Sequence, residues 1–108
     1  MNREQRLAEN ELLFRAVNER ILEMEGDHPP EEPIDFMCEC ADPACTRVLS
    51  LSREEYERLR ADPKHLAVLP GHQVESIERV VETHRGYLVV EKYESVLRDV
   101  EDGAPEGS

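Results

Sequence analysis

The sequence predicts an α+β fold: a small domain of antiparallel strands and a short helix, preceded by a long N-terminal amphipathic helix. Three observations carry that expectation. A highly charged stretch with apolar residues at helical spacing fills residues 2–25. Short β-branched and apolar runs separated by turn residues begin at residue 34. The three cysteines of the chain crowd into Cys38-Glu39-Cys40 and Cys45, where a chain reversal brings side chains together.

In the helical stretch Leu7, Phe14 and Ile21 recur every seven residues, with Asn10, Val17 and Met24 at the other seam position and Leu13 widening the stripe. Gly26 follows the last periodic residue, where a glycine commonly ends a helix. This helix has two readings. It docks on its own domain, or it is an arm that pairs with a second copy or another protein, with Asn10 setting the register. Residues 26–33, Gly-Asp-His-Pro-Pro-Glu-Glu-Pro, form a linker that proline holds extended.

The compact α+β domain is expected over 34–102, with a disordered tail over 103–108. Residues 34–38 read as a strand and 47–51 as its antiparallel partner, with the cysteine knuckle between them. Ser52-Arg53-Glu54-Glu55 is a capping box that starts a helix, and Asp62-Pro63 stops it. Residues 66–69 form a short apolar strand running into Pro70-Gly71-His72. Residues 80–83 and 87–90 flank His84-Arg85-Gly86 and predict a hairpin with a three-residue loop. A last helical turn or two is expected over 93–100.

The cysteine cluster carries the chemistry. Side chains at i and i+2 on a straight strand lie about 6.5–7 Å apart. Two sulfurs on one tetrahedral zinc lie under about 4 Å apart. Cys38 and Cys40 can therefore share an ion where the strand bends. Asp42-Pro43 suits the first two positions of a type I turn that returns Cys45 to the same side. An odd number of cysteines argues against a disulfide framework. Zinc held by Cys38, Cys40, Cys45 and His72 is the expected cofactor site, because His72 alone among the histidines follows a strand end and a fixed turn. His65, Asp42 or water are the alternatives for the fourth position. Three free thiols, or a redox pair in Cys38-Glu39-Cys40, are the alternatives to metal. Arg47 beside the knuckle is a candidate cation for the thiolates.

Composition narrows the function. The chain has 108 residues, 25 acidic against 13 basic, for a net charge of −12. That field repels nucleic acid and anionic lipid. No apolar run approaches membrane-spanning length and no signal-peptide core opens the chain, so a cytoplasmic setting is expected. Phosphate-binding loops, H-E-x-x-H and G-x-S-x-G are absent. Paired acids such as Glu54-Glu55 read as solvated faces.

The order of motifs resembles a group of small acidic actinobacterial proteins of unknown function. The likeness spans 10–92 and rests on Phe36-Met37-Cys38-Glu39-Cys40-Ala41-Asp42-Pro43-Ala44-Cys45, Leu51-Ser52 with Glu55-Tyr56-Glu57, and Val68 with Pro70-Gly71-His72. It continues through Glu78-Arg79-Val80-Val81-Glu82 and Tyr87-Leu88-Val89-Val90-Glu91-Lys92, and includes Phe14-Arg15-Ala16-Val17-Asn18-Glu19-Arg20-Ile21. The resemblance implies a bacterial cytosolic setting and no activity.

The expected function is a non-enzymatic protein-interaction or regulatory module held together by structural zinc, meeting a protein partner or a second copy through the N-terminal helix. A zinc enzyme with an open metal position and a thiol redox sensor are the alternatives.

Overall fold

The computed structural model describes residues 2–93. The expected turns over 93–100, beyond Tyr93 itself, and the tail over 103–108 fall outside the described residues.

Helix α1 spans Arg3–Met24. Asn2 caps it, with Asn2 Oδ1 accepting from the Gln5 amide at 2.8 Å and Gln5 Oε1 accepting from the Asn2 amide at 2.9 Å. The helix stops just before Gly26, as expected, but without the left-handed glycine conformation. Glu25 is the C-cap, and its amide donates to the carbonyls of Ile21 and Leu22.

Strand β1 (Pro33–Met37) pairs antiparallel with β2 (Val48–Ser52). Ser52 then caps α2 (Arg53–Arg60), with the capping box to Glu55 complete in both directions. Strand β3 (His65–Val68) pairs with β5 (Tyr87–Lys92), which also pairs with β4 (Glu78–His84). The described residues thus form a two-stranded and a three-stranded antiparallel sheet. The predicted hairpin is present, but His84 pairs with Tyr87 across the strands. Its loop is therefore Arg85-Gly86 rather than three residues, and Gly86 takes a φ of 94° that a tight turn requires. A register shift between Val80 and Glu82 bulges β4, and most of that edge strand is exposed.

The core lies where the sheets and α2 meet. Phe36 from β1 stacks on Tyr56 from α2, ring centroids 4.4 Å apart. Leu49, Leu51, Leu66, Val68, Leu88 and Val90 close around them. The two sheets are stitched end to end, because the Glu39 amide just past β1 donates to the Ala67 carbonyl of β3 at 2.8 Å.

The largest departure from the sequence reading concerns α1. Its inward face is Ala8, Glu11, Arg15, Asn18 and Leu22, one residue round from the expected Leu7/Phe14/Ile21 seam. Leu22 and half-buried Ile21 reach the core, while Leu13, Val17 and Met24 are exposed. The polar face turns inward because the surface beneath it consists of main-chain ends. Arg15 donates to the carbonyls of Pro63, Arg60 and His65 at 2.6, 3.1 and 3.2 Å. Asn10 donates to the Ala41 carbonyl at 3.1 Å, so it serves as a tether rather than a register device. Lys92 and Glu11 form a buried ion pair between β5 and the helix. Hydrophobic periodicity ranks faces by water avoidance, whereas this interface is selected by unsatisfied carbonyls and amides. Of the two readings of the helix, the structure therefore shows the docked one.

Candidate metal centre

Each donor of the cysteine cluster is held by a separate piece of backbone. Cys38 follows the last residue of β1, and its amide still donates to the Arg47 carbonyl at 3.0 Å. Beyond it the chain leaves the strand, which is the bend that lets Cys40 approach. The Asp42 turn forms as expected: the Cys45 amide donates to the Asp42 carbonyl at 3.0 Å, and Asp42 Oδ1 accepts from the Ala44 amide at 2.9 Å. A second turn delivers His72, whose amide donates to the Leu69 carbonyl at 2.9 Å. Gly71 sits within it at a φ of 90°, a conformation that side chains rarely adopt.

The four residues meet. Sγ of Cys38, Cys40 and Cys45 and a ring nitrogen of His72 all lie within 4.8 Å of one another. Nδ1 of His72 is 3.6 Å from Cys38 Sγ and 3.7 Å from Cys45 Sγ. With bond lengths near 2.3 Å to sulfur and 2.0–2.1 Å to nitrogen, a tetrahedral ion separates such donors by about 3.5–3.6 Å. The spacing thus fits an ion at the centre. The cysteines are buried and His72 is half-buried, so this Cys3His group can bind a metal ion.

Two of the sulfurs receive main-chain donors. The Leu69 amide donates to Cys38 Sγ at 3.2 Å, and the Asp42 amide bonds Cys40. Burial outweighs these donors and pushes both the Cys38 and Cys40 thiols up. A divalent ion at this point would favour the thiolate forms that burial opposes. Arg47, a candidate second cation, is exposed and contributes its main-chain carbonyl to the knuckle.

Glu39, between Cys38 and Cys40, is the residue the sequence reading overlooked. Strand alternation would turn it outward, yet it is fully buried. Its carboxylate accepts from Asn18 Nδ2 of α1 at 2.9 Å, from the Ala67 amide of β3 at 2.9 Å and from the Tyr56 hydroxyl of α2. Burial raises its pKa while those three donors pull it down. Asn18 also pairs with both main-chain groups of Met37, accepting from its amide and donating to its carbonyl, each at 2.8 Å. The Cys38–Cys40 bend is thereby clamped by elements far apart in sequence. Its only prior signal was an acid enclosed between two cysteines.

The other histidines lie elsewhere. His28 contacts Glu25 and the Pro33 carbonyl, and His84 contacts Glu82 at 2.7 Å. His65, the alternative fourth ligand, faces Asp62 and Glu91. Beside His72 runs a groove of about 470 Å³, lined by Leu7, Ala41, Pro43 and Val74 among others. Among the described residues, no helix is long and apolar enough to cross a membrane.

Comparison with protein-family models, curated proteins and solved structures gives no match.

Proposed function

We propose that the chain is a non-catalytic interaction module whose body is stapled by one zinc ion bound to Cys38, Cys40, Cys45 and His72. The observation that carries this reading is the convergence of four protein donors within 4.8 Å of one another, with His72 Nδ1 at 3.6 and 3.7 Å from two of the sulfurs. Four protein ligands close the shell, whereas zinc enzymes keep a position for water. The donor set also suits zinc: thiolates select it over harder cations, and imidazole completes the set. Burial of the thiols disfavours the redox-sensor alternative, since a sensor cysteine is exposed and ionised.

The contact surface on this reading is the outward side of α1, where Leu13, Val17 and Met24 are exposed amid acidic charge. A protein partner or a second copy would meet that side rather than the Leu7/Phe14/Ile21 seam. Elemental analysis of the reduced protein, paired with thermal melts with and without a strong chelator, tests the metal assignment. One zinc per chain and loss of the cooperative melt on chelation are expected, and His72→Ala should lose zinc or unfold. A metal-free protein that melts unchanged rejects the staple. Zinc and fold retained by His72→Ala would favour the open-site enzyme instead.

A further inference from the structure

A second cluster lies away from the cysteines, and two of its members, Asp62 and His65, line a cavity of about 250 Å³ between α2 and the three-stranded sheet. His65 opens β3, and the strand register sets it directly across from Glu91 of β5. Asp62 stands in the turn that ends α2. His65 Nε2 is 3.1 Å from Glu91 Oε2 and 3.4 Å from Asp62 Oδ2. The three donors lie within 4.8 Å of one another.

Each carboxylate is anchored by one oxygen and offers the other. Asp62 Oδ1 accepts from the Lys64 amide at 2.9 Å, leaving Oδ2 to face His65. Glu91 Oε1 accepts from Arg79 Nε and Nη2 at 3.2 and 2.8 Å, leaving Oε2 to face the same nitrogen. Two carboxylate oxygens thus converge on one imidazole nitrogen, which carries a single proton at most. A cation in place of that proton would engage all three groups at once. Nitrogen and oxygen donors bound at about 2.0–2.1 Å are separated by about 2.9 Å in octahedral and 3.4 Å in tetrahedral geometry. Both measured separations fall in that interval.

We propose that Asp62, His65 and Glu91 form a second divalent-cation site, independent of the cysteine centre and open to the cavity. One imidazole and two carboxylates make a hard-to-borderline donor set that takes manganese, cobalt, nickel or zinc, with water completing the shell. Side-chain exposures of 20% for His65 and Glu91 and 37% for Asp62 leave room for those waters. The cavity is also lined by Glu55, Glu82 and His84. Arg79 lowers the charge of the site but occupies the oxygen turned away from it. An open three-ligand site of this kind exchanges its ion, whereas a closed four-ligand centre retains it.

Manganese is the probe, because it competes poorly for thiolates and leaves the cysteine centre undisturbed. Full-length protein is titrated with Mn²⁺, free ion is counted by electron paramagnetic resonance, and paramagnetic broadening is mapped by NMR. One bound ion per chain, with broadening centred on His65 and Glu91, is expected. It should vanish in His65→Ala and in the near-isosteric Asp62→Asn, both of which should keep the wild-type melt. No bound manganese at millimolar concentration, or binding undiminished in both variants, overturns the site. Zinc content of the same samples reports separately on the cysteine centre, so failure of one assignment is distinguishable from failure of the other.

Discussion

Asn18→Leu separates a helix that merely lies on the domain from one that builds the metal centre. Asn18 makes three hydrogen bonds of 2.8–2.9 Å, two to Met37 and one to Glu39, and is fully buried. Leucine keeps the branched shape but is bulkier and has no polar atom. The substitution strands the amide and carbonyl of Met37 and removes one of the donors to a buried carboxylate. An orphaned buried polar group costs about 1–3 kcal/mol, more where a charge is involved. Allowing for added apolar burial, the loss should be about 3–5 kcal/mol. For a chain of this size that lowers the melting temperature by roughly 15–30 °C. Met37 precedes Cys38, and Glu39 lies between two ligands, so metal affinity should fall by about 10–100-fold, as for other partners that orient metal ligands. Differential scanning calorimetry and zinc competition against a chromophoric chelator read the two effects, with Val17→Ala on the exposed side as control. Unchanged melting and unchanged zinc affinity in Asn18→Leu would refute the clamp.

Three further outcomes follow from the same geometry. Arg15→Ala removes three charge-assisted bonds to carbonyls around the end of α2 and should cost about 2–4 kcal/mol in denaturant unfolding. It should also speed proteolysis in the 26–32 linker, and Arg15→Lys should recover only part because the fork is lost. Gly71→Ala meets open space around its added carbon, so its cost is conformational, about 1–2 kcal/mol, and zinc affinity measured by competition should drop as His72 shifts. Glu78 is buried with Oε1 unpartnered, and burial pushes its carboxyl up to about 7. The folded state therefore holds a proton between pH 4.5 and 7 that the unfolded state has lost, so this group lowers stability as pH rises through that window. Glu78→Gln should be more stable than wild type at pH 8, by at most about 3 kcal/mol, with the gap closing toward pH 5 in chemical denaturation.

Local signals account for much of the fold. The Ser52–Glu55 capping box, the Asp42-Pro43 reversal and the Gly86 hairpin each declare themselves within a few residues, and each forms, the hairpin with a loop one residue shorter than expected. The meeting of Cys38, Cys40, Cys45 and His72 was legible for the same reason. C-x-C before a reversal brings three thiols to one side, and a proline-glycine turn aims a single histidine. What the sequence concealed is how those pieces are fastened. Glu11, Arg15, Asn18, Glu39 and Lys92 look like solvated surface by composition, and all are buried.

Residue order alone thus determined the α+β class, the turn chemistry and the identity of the donors, because those depend on interactions a few positions apart. Only the folded chain decided which face of α1 turns inward, why an acid sits inside the knuckle, and that His65 joins Asp62 and Glu91 instead of the sulfurs. The first two depend on which main-chain amides and carbonyls are left without partners once the strands have paired, and the third on the register of β3 against β5. That demand arises between segments distant in sequence, and polar side chains answer it even where hydrophobic spacing points the other way.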